Sequence, residues 1–98
     1  MPDFIFLMHD DSSAPVNDTA WSAYLGDPRI SGRLQGGSAI GDGLCLRKAD
    51  PAPPITSHLT GFLRVEADSL EQARALVAGN PVFEAGGTVE IRVLPRTD

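Results

Sequence analysis

The sequence predicts an α+β protein of the ferredoxin-like class, with a four-stranded antiparallel sheet and the element order β-α-β-β-α-β. Three observations favour it: a strand-helix-strand pattern in the last third of the chain, a similar pattern in the first half, and an irregular, proline-rich stretch between them. The 98 residues suffice for a single domain, residues 1–98, with one core. In this class both helices lie on one face of the sheet, and the first and third strands are central.

The first predicted strand covers Phe4 to Met8, which are all apolar. Apolar side chains on both faces are typical of a central strand that is covered above and below. Because two helices cover only one face of so small a sheet, we expect a second copy of the chain to cover the other face. The sequence therefore predicts a homodimer.

The first helix is expected to begin near Asp18. One of its faces carries four apolar residues, Ala20, Trp21, Tyr24 and Leu25. Pro28 cannot lie inside a helix without the loss of a hydrogen bond, so we expect a break there. Asp27 can cap a restarted turn that carries Ile30 and Leu34 into the core.

Gly36 and Gly37 are expected to end that turn. The second strand is then predicted over Ser38 to Arg47, where two further glycines weaken the pattern and indicate a bulge or a sheet edge. Lys48 to Ser57 contains three prolines and no periodicity, which predicts a stiff loop between two antiparallel strands.

The last third of the chain has the clearest pattern. From Leu59 to Ala67 apolar and polar residues alternate, as in a half-buried strand, with Leu59, Leu63 and Val65 on the apolar face. Asp68 and Ser69 are each followed three residues later by Glu or Gln, which predicts a capped helix start.

The helix that follows should place an apolar stripe against the sheet, made of Leu70, Ala73, Leu76 and Val77. Gly79 is expected to end this helix, and Pro81 cannot continue it. Gly86 and Gly87 indicate a turn before the fourth strand, predicted over Thr88 to Leu94.

Composition excludes several classes of function. A net charge of −5 without a basic cluster argues against nucleic-acid binding. The segment Met1 to Met8 resembles neither a signal peptide nor a membrane span. The single cysteine, Cys45, is interpreted as a small core residue and suits a reducing compartment. Together with the segment Met1 to Met8, it leads us to expect a cytoplasmic protein without a membrane partner. No glycine pattern opens a helix as a phosphate site requires, and we expect no cofactor.

The titratable candidates lie at strand ends. His9 and Asp10 follow the first strand and His58 opens the third, so all three can meet at one rim of the sheet. A divalent site that adds Asp11 or Asp42 remains an alternative, although the spacing gives no metal signature and surface-loop histidines are the simpler interpretation. A Ser-His-Asp triad has no supporting motif around any serine.

Four segments together resemble a known family: Gly32 to Ser38, Asp68 to Ala73, Asn80-Pro81 and Gly87 to Val93. Their order and spacing are similar to the YCII-related (DGPF) family of dimeric α+β-barrel proteins, over nearly the whole chain. The resemblance implies that two ferredoxin-like protomers pack sheet to sheet to form a barrel. It also implies an active site built on a His and Asp pair.

The chain departs from the family at that pair. The position that resembles the family's histidine falls near Trp21, and the aspartate of its Asp-Pro falls on Asn80. Neither side chain titrates usefully near neutrality. The Asp-Gly-Pro-Phe stretch is also absent before the third strand, where this chain has Pro54 to His58.

Two hypotheses follow. The first is a dimeric small-molecule-binding or enzyme-like protein whose catalytic residues are unknown and whose candidate pocket residues are His9, Asp10, Trp21, His58, Asn80 and Arg92. Its pocket would lie between a helix and the sheet or inside a dimer barrel, where Arg64 and Arg92 would face an anion. The alternative is a non-catalytic dimeric module, regulatory or structural.

Overall fold

The computed structural model describes residues 2–49 and 51–95, so residues 1, 50 and 96–98 of the predicted domain lie outside it. The elements follow the order β1 (Asp3–His9), α1 (Asp18–Gly26), α2 (Pro28–Ser31), β2 (Leu34–Ala39), β3 (Leu59–Glu66), α3 (Leu70–Ala75), α4 (Pro81–Glu84) and β4 (Val89–Leu94). The four strands form one antiparallel sheet in the order β2-β3-β1-β4. This confirms the ferredoxin-like α+β class and the central positions of β1 and β3.

Alternate residues of β1 face opposite sides of the sheet. Phe4, Phe6 and Met8 are buried in the core, together with Tyr24 and Ile30 from the helices. The rest of the core comes from β3 and the last helical region, namely Leu63, Val65, Ala67, Ala73, Leu76, Val77 and Val82. All core side chains therefore lie between the sheet and one helical layer.

No helix of the described residues covers the other side of the sheet. The molecule measures 47 × 39 × 18 Å, and 18 Å is the thickness of one sheet and one layer of helices, which pack about 10 Å apart. Ile5 and Leu7 lie on this second side, which we call the open face, and both are half-buried. In the described parts of the chain, no helix is long and apolar enough to cross a membrane.

Helices α2 and α3 begin at the capping residues that the sequence predicts. Asp27 caps α2 by accepting a 2.9 Å hydrogen bond from the Arg29 backbone N–H, and Pro28 occupies the first turn as predicted. Ser69 caps α3 by accepting a 3.1 Å hydrogen bond from the Gln72 N–H, and the Gln72 side chain accepts from the Asp68 N–H. The predicted capping pattern is confirmed with Ser69 as the cap.

The prediction for the second strand is wrong. β2 spans Leu34–Ala39, not Ser38 to Arg47, so Leu34 and both glycines belong to the strand. Gly36 has a φ of 149° at the point where the register with β3 shifts. A Cβ atom at Gly37 would lie 2.6 Å from Leu63 Cδ2 and from the Phe62 carbonyl oxygen. These glycines permit a bulge and a close strand approach, which from sequence alone look like the end of a helix.

The predicted loop is longer than expected, because regular structure is absent from 40–49 and 51–58. Cys45 lies in this segment and is not a core residue. It is half-buried, with Sγ 3.6 Å from the Pro54 carbonyl oxygen. Leu44 and Leu46, which were expected in the second strand, are 73% and 87% exposed because no sheet neighbour covers them.

The last helical region also differs from the prediction. Leu70 is 56% exposed because it lies at the first position of α3, whereas the rest of its predicted stripe is buried. Pro81 does not only prevent continuation, since it begins α4, with Asn80 as the cap. Gly79 ends the preceding turn with a φ of 90°, as a glycine at a helix end should.

Replacing Asn80 should destabilise the fold strongly. Asn80 is fully buried, and its Oδ1 accepts from the N–H groups of Val82 and Phe83 at 3.0 and 3.2 Å. Asn80→Ala should lower the free energy of unfolding by about 2–4 kcal/mol, because it removes a cap and leaves buried donors unpaired. Asn17→Ala, the same change at the exposed cap of α1, should cost only about 1 kcal/mol. Urea unfolding measures both, and equal losses would contradict the role given to Asn80.

Candidate functional site

A cavity of about 690 Å³ lies between α1 and the ends of β1, β2 and β3. Its apolar wall includes Met8, Trp21, Leu25, Leu34 and Leu63. Trp21 and Leu25 are four residues apart on α1, so they present one face of the helix to the sheet. The volume is within the range of pockets that bind small molecules. We call this space the helix–sheet cavity.

Glycines shape the sheet side of the cavity. Gly37 and Gly61 both line it, and neither has a side chain to fill it. A Cβ at Gly61 would lie 3.2 Å from the Ser38 carbonyl oxygen, and the contacts at Gly37 are closer still. Neighbouring strands therefore lie near each other here, and the side chains of Leu63 and Met8 lie over the glycines.

One end of the cavity is polar and acidic. Its titratable residues are His9, Asp10 and Asp18, and no Lys or Arg occurs among the described residues that line it. A phosphate or carboxylate ligand usually requires a cation or a helix N-terminus with free N–H groups. The charge of this wall therefore favours a neutral ligand over an anion.

His9 lines the cavity and also belongs to a polar cluster with Glu90 and Arg92 on the open face. His9 Nε2 lies 3.0 Å from Glu90 Oε1, and Glu90 Oε2 accepts a 3.2 Å hydrogen bond from Arg92 Nη1. The His58 ring meets the His9 ring edge to face at a centroid distance of 4.8 Å. The Asp10 N–H donates to the His58 carbonyl oxygen at 2.7 Å. The two histidines meet at one rim, as the strand order predicted.

The electrostatics of this cluster favour an ionised Glu90. The hydrogen bond with His9 lowers the pKa of Glu90, and the Arg92 guanidinium lowers it further. Nearby, the Thr88 hydroxyl and N–H donate to the Asp11 carboxylate at 2.7 and 2.8 Å and lower the pKa of Asp11. Asp11 therefore attaches the loop after β1 to the start of β4.

The six candidate pocket residues divide into three groups. His9, Asp10 and Trp21 line the helix–sheet cavity, and His58 contacts the ring of His9. Arg92 lies on the open face and reaches the cluster only through Glu90. Asn80 is buried behind α1 and does not line the cavity.

Asn80 has a structural environment. Its Oδ1 caps α4, and its Nδ2 is buried without a hydrogen bond in the described structure. Burial raises the pKa of the neighbouring Tyr24, an effect that the Asn80 amide partly opposes. The Tyr24 hydroxyl donates to the Leu76 carbonyl oxygen at 2.6 Å. These contacts connect α1 to the end of the α3 region.

Sequence reasoning missed Glu90 as a site residue and interpreted it as part of a solvated strand face. No local pattern signals this pairing, because it follows from the register between β1 and β4 in the folded sheet. Leu7 pairs with Glu90 across β1 and β4, so His9, two residues further along the same face of β1, comes within reach. Within residues 2–49 and 51–95, no group of three or more His, Cys, Asp or Glu side chains is placed to hold a metal ion.

The fold and the cavity define a ferredoxin-like α+β protein with a potential ligand site between helix and sheet. No protein-family profile matches the chain, and no curated protein matches it. A solved structure does: the 5-chloro-2-hydroxyhydroquinone dehydrochlorinase TftG from Burkholderia phenoliruptrix AC1100, in complex with 2,5-dihydroxybenzoquinone. The TM-score is 0.57 with 18% sequence identity, over 97% of this chain and 95% of the other. This similarity shows a shared fold.

Replacing Glu90 should change the pH dependence of stability. A carboxyl group with a lowered pKa stabilises the folded state above its unfolded pKa, here taken as the ordinary value of 4.5, and this contribution is lost as pH falls through the lower folded value. Glu90→Gln should therefore melt below the wild type near neutrality, and the difference should vanish on acidification below pH 4.5. Glu71→Gln removes the same charge from an exposed helix position as a control. A difference between Glu90→Gln and wild type that grows with acidification would contradict the pairing.

Proposed function

We propose that the protein binds a small molecule in the helix–sheet cavity and is an enzyme-like member of the YCII-related group. The observation that carries this proposal is the cavity itself, which combines an apolar wall containing Trp21 with a polar end at His9. Binding sites for small molecules typically have this composition, with few polar groups that fix the orientation of the ligand. The fold shared with TftG agrees with the fold that the YCII resemblance implies.

The cavity favours a neutral, planar ligand. Its wall carries carboxylates without a compensating Lys or Arg, and the Trp21 ring offers a face on which a planar ligand can stack. TftG is named for a hydroxylated ring and was solved with another, 2,5-dihydroxybenzoquinone. We infer that hydroxylated aromatic or quinonoid rings are the ligand class to test first. Their ring faces can stack on Trp21, and their hydroxyl groups can reach the polar end.

We also infer that the protein is a homodimer. The open face carries a row of half-buried apolar side chains, Ile5, Leu7, Phe62 and Leu94. A second copy that packs sheet to sheet would cover this row and form the barrel that the resemblance implies. The single cysteine and the acidic charge support a cytoplasmic location without membrane or nucleic-acid partners.

A non-catalytic dimeric module is the second candidate. Asn80 favours it, because this residue caps α4 and lies away from the cavity, as expected if the position has kept only a structural role. Trp21 likewise packs edge to face on Tyr24, with ring centroids 6.1 Å apart. Under this hypothesis dimerisation persists but no ring compound binds.

Ligand binding is tested by thermal shift with a panel of hydroxylated rings. A ligand at 100 times its dissociation constant should add about 2.7 kcal/mol to stability and raise the melting temperature. Trp21→Ala should abolish the shift because it removes the aromatic wall. Ser22→Ala, at the adjacent exposed position outside the cavity, should retain it. If no compound shifts the wild type, the non-catalytic module is favoured.

Dimerisation is tested by sedimentation at micromolar concentration. The wild type should sediment as a dimer, and Leu7→Lys should be a folded monomer, because an unpaired charge in the interface is costly to bury. Thr19→Lys adds the same charge on an exposed part of α1 and should leave the dimer intact. A monomeric wild type would contradict the assembly. Phe6 is unsuitable for this test because it lies in the protomer's own core.

A further inference from the structure

We propose that His9 is the proton acceptor of the helix–sheet cavity and that Glu90 and Arg92 position it. This inference rests on the proposed function. It places proton transfer at His9 and not at Trp21 and Asn80, which stand where the resembled family has its His and Asp pair. Three independent features meet at His9. It lines the cavity, its ring is hydrogen-bonded to the Glu90 carboxylate, and the His58 ring packs against it.

The hydrogen bond to Glu90 selects one tautomer of His9. A carboxylate only accepts, so Nε2 carries the proton that it donates to Glu90 Oε1 over 3.0 Å. In neutral imidazole Nδ1 is then the basic nitrogen. Within the described residues Nδ1 has no hydrogen-bond partner, so its lone pair is available to a ligand. A carboxylate that orients a histidine in this way is a recurrent arrangement in general-base catalysis.

Arg92 helps to keep Glu90 ionised, so that Glu90 can accept the hydrogen bond from His9. Its guanidinium donates to Glu90 Oε2 at 3.2 Å and leaves Oε1 for His9. The side chain of His9 is 21% exposed and that of Glu90 is 35% exposed, so the pair is partly shielded from water and remains accessible. Glu90 and Arg92 are two residues apart on one face of β4, which fixes the order Arg92, Glu90, His9 along the sheet.

The proton balance of the step is simple. The ligand's ring O–H bond breaks and the His9 Nδ1–H bond forms. The electron pair of the broken bond stays on the ring oxygen, and the positive charge on the imidazolium is stabilised by Glu90. The resulting oxyanion lies beside the imidazolium, whose positive charge offsets its repulsion by the Asp10 and Asp18 carboxylates. No oxidant or metal is needed for this transfer.

The test uses 4-nitrocatechol, a hydroxylated ring whose absorbance distinguishes its neutral and ionised forms. The full-length protein is titrated with the probe one pH unit below the ionisation midpoint of the free probe, where roughly one molecule in ten is ionised. The spectrum of the bound probe gives its ionised-to-neutral ratio, and the titration curve separately gives its affinity.

The wild type should raise the ionised-to-neutral ratio of the probe at least about tenfold. His9→Gln should return this ratio to that of the free probe while the probe still binds, and Glu90→Gln should give an intermediate ratio. Glu71→Gln is the matched control, since it removes an exposed carboxylate from α3 that does not line the cavity, and it should keep the wild-type ratio.

The outcomes separate the two proposals. Binding without ionisation by the wild type, or an unchanged ratio in His9→Gln, overturns the role of His9 and leaves the cavity as a binding site. Failure of the wild type to bind the probe counts against both proposals. If His9→Gln fails to fold, Glu90→Gln and Arg92→Gln decide the question, because both should lower the ratio and an unchanged ratio in both would overturn the inference.

Discussion

The structure depends on the alternation of apolar side chains along β1. Phe4, Phe6 and Met8 bury themselves against the helices, while Ile5 and Leu7 form a second apolar row on the open face. The first row holds the domain together, and the second remains half-buried in an isolated protomer. His9 continues the second row, and this places its ring beside Glu90 at the end of the sheet. The same periodicity thus determines the core, the surface available for assembly and the polar cluster.

Much of the fold could be predicted because local and long-range signals agree. The apolar run of β1, the Asp27-Pro28 break and the Ser69 cap each correspond to a feature of the structure. The second strand could not be located, because Gly36 and Gly37 are needed for a bulge and a close approach to Leu63 that exist only in the folded sheet. Asn80-Pro81, in contrast, is the same local pattern as Asp27-Pro28, a capping side chain followed by proline in the first turn, so the start of α4 could have been predicted and was missed.

The site was predictable only in part. Strand order brings His9 and His58 together, and helix periodicity places Trp21 toward the sheet. The partner of His9 depends on the register between β1 and β4, which no local pattern specifies. Asn80 was expected near the pocket by analogy, but its contacts belong to the packing of α4 and Tyr24. Asn80 therefore has a structural role at the position that resembles the family's aspartate. The His9 and Glu90 pair lies elsewhere in the domain, at the cavity.

If the helix–sheet cavity is the functional site, ring compounds should bind there. The most direct measurement is NMR mapping of 4-nitrocatechol on the ¹⁵N-labelled protein. We expect chemical-shift changes at the Trp21 indole N–H and at the amides of Gly37, Gly61 and Asp10, which line the cavity. Changes confined to the groove beside β4, where Leu70 and Phe83 are exposed, would contradict it.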